Sequence, residues 1–174
     1  MCKPRRVSGT LALGLVAADR SAMSVVGSAI ARLLLPGDVV LLNGDLGSGK
    51  TTLTKFVAAA LGVTEPVTSP TFTIAHEYSC GPGPTVRRLV HLDAYRLRSA
   101  DDLEAVGLFD ALDDGAASVI EWGDVVASAV PDALRVELAF VDDEHRSIFF
   151  TVVPDTGWSD RFDELRAAIG ASAC

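Results

Sequence analysis

Apolar positions along this chain switch between a period near two and a period near four, and the switches mark out alternating strands and helices. Residues 10–16, "TLALGLV", read as a first strand. A helix is predicted over 19–35, where Val25, Val26, Ala29, Ile30, Leu33 and Leu34 recur at helical spacing before the turn "PGD". The unbroken apolar run "VVLLN" at 39–43 predicts a central strand covered on both faces. After a glycine-rich turn comes a helix over 49–61, closed by Gly62. "TFTIAHEYS" (71–79) and "VRRLVHLDAY" (86–95) read as strands joined by the turn "CGPGP". Residues 101–112 read as helix in one or two pieces, and "ASVIEW" (117–122) as another buried strand with a short helical stretch before Pro131. "LRVELAFV" (134–141) and "RSIFFTVV" (146–153) flank "DDEH" as an antiparallel pair, and a last helix spans 159–169. The order implies an α/β fold: one sheet with a parallel core and antiparallel strands, flanked by helices, in a single domain over 1–174.

The glycine-rich turn changes the picture from architecture to chemistry. Gly44-Asp45-Leu46-Gly47-Ser48-Gly49-Lys50-Thr51 fits G-x-x-x-x-G-K-[ST] without a mismatch, between a predicted buried strand and a predicted helix. Glycines let the backbone curl so that its N–H groups point inward onto phosphate oxygens, and the helix N-terminus adds partial positive charge. The chain has three lysines, Lys3, Lys50 and Lys55, against twelve arginines, yet it places a lysine at the end of this loop. A slender ammonium reaches β- and γ-phosphates where a planar guanidinium does not fit. Thr51 then offers a hydroxyl to magnesium, and Thr52 one to the α- or β-phosphate.

A magnesium–phosphate site calls for carboxylates at the carboxyl ends of neighbouring strands. "RLVHLD" ends in Asp93 and "SVIE" ends in Glu121. Asp93 either holds a water of the magnesium shell or orients the attacking water; Glu121 ligates the metal directly or through water. The hydroxyls of "TSPTFT", Thr71 first among them, are candidates for sensing the γ-phosphate, with Thr68, Ser69 and Thr73 beside it. Trp122 is either core or an aromatic lip for adenine or a partner, and Arg96 either meets a phosphate or partner or forms a surface ion pair. His76, His91 and His145 show no ligand spacing and read as structural or surface residues.

Charge and cysteine content narrow the function. Fifteen Lys plus Arg against 23 Asp plus Glu leave a net charge of −8, which argues against an unaided grip on nucleic acid, DNA included. Three cysteines without metal spacing read as reduced thiols of a cytoplasmic protein. No stretch is apolar for long enough to span a bilayer. The basic start followed by "TLALGLVAA" mimics a secretory signal, but the same run serves as the first strand. Asn43 is the only asparagine, so an NKxD element for guanine is impossible and ATP is favoured over GTP. A small-molecule kinase needs a lid and an arginine-lined acceptor pocket, for which only Arg96 and Arg98 are suggestive. It stands as the alternative reading, and a nucleotide-sensing adaptor without useful turnover is a third.

"GDVVLLNGDLGSGKTTLTK", "SPTFTIAHEY", "HLDAYRL", "LEAVGLFD" and "VIEWGD", in that order, closely resemble the TsaE (YjeE) family over roughly residues 17–153. The resemblance implies a P-loop ATPase with weak turnover alone. It further implies action beside TsaD and TsaB, which transfer threonylcarbamoyl to adenosine 37 of tRNA, so that tRNA is met through the complex. Matched by motif, Lys50 and Thr51 are the phosphate and magnesium residues, Asp93 and Glu121 the metal-associated acids, and Thr71 part of a switch-like segment. Ser21, in "AADRSA", and Arg146, near the last turn, are the implied base contacts. The first helix departs from the family pattern, reading "SAMSVVG".

Overall fold

Asp19 opens the first helix with its side chain, which accepts a hydrogen bond of 2.8 Å from the Ala22 amide. The computed structural model describes residues 10–70, 75–97, 99–143 and 145–170. Strand β1 (Leu11–Ala17) precedes helix α1 (Arg20–Leu33), and β2 (Val39–Asn43) runs into the glycine loop and α2 (Lys50–Ala60). Next come β3 (Ala75–Ser79), β4 (Arg88–Asp93) and a one-turn 3-10 helix, Ala94–Arg96. The helical stretch expected over 101–112 is two pieces, α3 (Ala100–Ala105) and α4 (Leu108–Asp113), parted at Gly107. Strand β5 (Ala117–Glu121), a 3-10 turn at Gly123–Val126, β6 (Leu134–Phe140), β7 (Arg146–Val152) and α5 (Gly157–Gly170) complete the order.

The strands form one sheet in the order β1-β7-β6-β2-β5-β4-β3. Four central strands, β6, β2, β5 and β4, are mutually parallel, and antiparallel partners close both sides. This is the mixed sheet expected from the pattern. Every residue of β2 is buried. Val40 and Leu42 pack with α1, α2 and α5, whereas Val39 and Leu41 pack with Leu103 and Leu108 of α3 and α4. That two-sided burial is why β2 reads as a continuous apolar run rather than an alternating one.

Parallel registry sets the functional edge. Asp93 lies opposite Glu121 across the β4–β5 pair, and Leu42 lies opposite Glu121 across β2–β5. The two acids and the loop after β2 therefore share the carboxyl end of the sheet. Strand β4 stops earlier than the expected 95 because the Asp93 carboxylate accepts from the Tyr95 amide at 3.0 Å and caps the 3-10 turn. Of the strand expected over 71–79, residues 71–74 lie outside the described residues.

At the opposite end of β2, Arg161 of α5 grips Asp38 with two hydrogen bonds of 2.6 and 2.9 Å and also donates to the Leu33 carbonyl. Trp158, Phe162, Leu165 and Ile169 bury the inner face of α5 in the core shared with α1. No described helix is long and apolar enough to cross a membrane.

Candidate nucleotide site

The chain leaves β2 through a loop that only glycine can build. Gly44 has φ +126°, and a Cβ there would stand 2.0 Å from the Leu138 carbonyl oxygen. The Ser48 amide closes back on the Asp45 carbonyl at 3.1 Å. Helix α2 then starts with no side-chain cap and no acid in its first turn. Its leading N–H groups and its dipole are thus left to serve an anion. The Ser48 hydroxyl oxygen is buried and has no hydrogen-bond partner among the described residues, a second polar group awaiting one.

Lys50 is only 5% exposed. Its Nζ donates to the carbonyls of Gly44 at 2.6 Å and Asp45 at 2.9 Å, and stands 4.0 Å from the centre of the Trp122 ring. Burial pushes its pKa below the ordinary lysine value, against the opposing pull of Glu121, Asp93, Asp45 and Glu137.

Glu121 is 3% exposed, and both of its oxygens are engaged. The Thr51 hydroxyl donates to Oε2 at 3.0 Å, while Nε2 of the fully buried His91 lies 2.9 Å from Oε1. Asp93 stands beside it on β4, half-buried. In front of these groups opens a cleft of about 670 Å³, walled by Thr51, Thr52, Ser69, Asp93, Glu121 and Trp122. Leu46, Gly47 and Gly49 form its loop side, and Tyr95, whose ring centre is 5.3 Å from that of Trp122, forms its lip. Trp122 sits at φ +60°, a left-handed conformation that turns its ring back over the loop lysine.

Most of the residues expected from the sequence converge here. Gly44, Asp45, Ser48 and Lys50 make the loop behind the cleft, and Leu46, Gly47, Gly49, Thr51, Thr52, Asp93 and Glu121 line it. Thr71 and Thr73 lie outside the described residues. Ser21, exposed in the first turn of α1, and Arg146 do not line the cleft. The Arg146 guanidinium donates to the carbonyls of Asp142, Asp143 and His145 and rests 4.4 Å from the Phe140 ring.

Two contributors escape a sequence reading. His91 is an isolated histidine in an apolar run, and the usable signal was its placement two residues before Asp93, on one face of a strand. Asn43 ends β2 and hydrogen-bonds Asp124 beyond β5, a contact that no local pattern announces.

The family model described as "Threonylcarbamoyl adenosine biosynthesis protein TsaE" matches residues 17–148. The chain belongs to the TsaE family. It is 41% identical over 119 residues to the Bacillus subtilis tRNA threonylcarbamoyladenosine biosynthesis protein TsaE, covering 68% of this chain and 72% of the relative. To the Streptomyces coelicolor TsaE it is 45% identical over 119 residues, covering 67% and 78%. The crystal structure of Bacillus subtilis YdiB superposes with a TM-score of 0.71 at 28% identity, covering 94% of this chain and 97% of that one. The TsaE match takes in the glycine loop, Asp93 and Glu121, while α5 lies beyond it.

The residues of this TsaE-family chain fit a magnesium-bound triphosphate. An uncapped helix start and a buried ammonium supply the anion side, and a hydroxyl beside a carboxylate supplies the oxygen donors that magnesium prefers.

Proposed function

We propose that this chain binds Mg·ATP in the cleft and hydrolyses it in the service of tRNA threonylcarbamoyladenosine biosynthesis, acting beside TsaD and TsaB. The observation that supports this most is the convergence of the Thr51 hydroxyl on Glu121 Oε2, 3.0 Å apart, at the uncapped start of α2 with Lys50 behind. The net charge of −8 suits a subunit that leaves the tRNA to its partners.

The residues divide the work. Lys50 exchanges the carbonyls of Gly44 and Asp45 for phosphate oxygens, and the α2 N–H groups hold the same anion. Thr51 and Glu121 would hold magnesium, which supplies charge neutralisation across the phosphates when bound. Asp93, at the cleft wall beside Glu121, orients the attacking water. No arginine among the described residues lines the cleft, which suits slow turnover by the isolated chain and faster turnover with partners.

Calorimetry with Mg·ATP, with phosphate release measured with and without TsaD and TsaB, tests the reading. Glu121→Gln and Asp93→Asn are expected to lower turnover about 10²–10³-fold while ATP binding persists. Undiminished hydrolysis in both variants, or ADP release coupled to a phosphorylated small acceptor, would refute it.

A further inference from the structure

We propose that His91 is a positioning residue for metal capture: its buried Nε2–H clamps Glu121 Oε1 and so fixes Oε2 toward the Thr51 hydroxyl. The inference deepens the Mg·ATP reading above and rests on it.

A carboxylate at the end of a flexible side chain has a rotation to lose before it can serve a metal. Here that rotation is stopped from both sides, by His91 at 2.9 Å on one oxygen and Thr51 at 3.0 Å on the other. Strand registry makes the arrangement rigid. His91 and Asp93 share one face of β4, Val119 lies opposite His91 and Glu121 opposite Asp93, so the imidazole reaches diagonally to the carboxylate. His91 is 0% exposed and Glu121 3%, and water therefore does not compete for either partner.

The second ring nitrogen decides which way the proton lies. Nδ1 is buried and has no partner among the described residues. A proton on Nδ1 would leave a buried donor unpaired and turn the Nε2 lone pair against a carboxylate oxygen. A proton on Nε2 leaves only an acceptor lone pair unused and gives Glu121 its hydrogen bond. The imidazole is thus held as a one-way donor, the arrangement by which outer groups orient carboxylates and histidines around metals. A histidine that merely fills core would place no demand on the metal, and this difference is measurable.

The test pairs His91→Leu with His91→Gln, whose amide can return a donor near the position of Nε2. Mn²⁺ is titrated with a non-hydrolysable ATP analogue and followed by electron paramagnetic resonance, and analogue binding is measured separately in EDTA. His91→Leu is expected to raise the half-saturating Mn²⁺ concentration about 10–100-fold and to leave metal-free binding within about twofold, with His91→Gln recovering most of the loss. Nitrogen NMR of the wild-type protein, which has three histidines, is expected to show the His91 proton on Nε2. Wild-type Mn²⁺ affinity in His91→Leu, or an equal loss of metal-free binding, would overturn the inference. Should that variant fail to fold, a wild-type His91 proton found on Nδ1 overturns it instead. Wild-type protein that binds no Mn²⁺·nucleotide overturns the nucleotide reading itself, whereas wild-type binding matched by His91→Leu overturns the inference alone.

Discussion

Asn43 and Asp124, 81 residues apart, exchange two hydrogen bonds: the Asn43 amide donates to Asp124 Oδ1 at 2.9 Å, and the Asp124 backbone N–H donates to Asn43 Oδ1 at 2.9 Å. Asn43 is the last residue before the glycine loop, and Asp124 belongs to the 3-10 turn that follows Trp122. The pair fastens the two segments that frame Lys50. It also helps hold Trp122 at φ +60°, a conformation that costs a non-glycine residue about 1–3 kcal/mol. Gly123 completes the fastening, since a Cβ there would meet Leu41 Cβ at 2.6 Å.

Asn43→Ala is therefore expected to destabilise the fold by about 1–3 kcal/mol, because the two hydrogen bonds of this half-buried pair are lost together, each contributing about 0.5–1.5 kcal/mol. Denaturant unfolding measures the loss. Nucleotide affinity should fall with it, as the turn that carries Trp122 loosens. Asn43→Asp should be worse, since it sets a second carboxylate against Asp124.

Lys50→Ala removes the buried ammonium behind the cleft. With charge-assisted hydrogen bonds contributing about 1.5–3 kcal/mol each, ATP binding should weaken by at least about tenfold per lost bond and hydrolysis should cease. Calorimetry and phosphate release check both, and retained turnover would remove Lys50 from the site.

Glu137 is held above the ordinary carboxylate range by desolvation and by the charges of Asp124 and Asp45, with Lys50 pulling the other way. The folded state thus keeps this proton to higher pH than the unfolded state does. Its contribution to stability falls as pH rises from about 4.3, the unfolded value, through the raised folded value. Glu137→Gln should accordingly raise the melting temperature at pH 7–8 and lose that advantage as pH falls toward 4. An advantage independent of pH would contradict the charge argument.

The Asp38–Arg161 pair is a structural fastening at the far end of β2, with both side chains largely buried. Asp38→Ala leaves a buried guanidinium unpaired and should destabilise by about 3–5 kcal/mol. In protein that remains folded at low temperature, ATP affinity should be unchanged, because the cleft lies at the other end of the strand.

Local pattern and sequence motif carried much of this protein. The run "VVLLN" announced a strand buried on both faces because apolar residues at consecutive positions have no other stable place in a sheet. The loop from Gly44 to Thr51 was legible because backbone geometry at Gly44 and the reach of Lys50 are short-range demands, met by residue type and spacing alone. Asp93 and Glu121 were recognisable as strand-terminal acids for the same reason.

The rest depended on which strands became neighbours. Parallel registry of β4, β5 and β2 brought Asp93, Glu121 and the glycine loop to one edge, and it placed His91 against Glu121 and Asn43 against Asp124. The same packing gave α5, which carries no motif, an anchor in Arg161 and Asp38. A sequence states which groups the chain owns and how the backbone curls over a few residues. Only long-range pairing in a buried interior, where an unmatched polar group is costly, decides which of those groups meet.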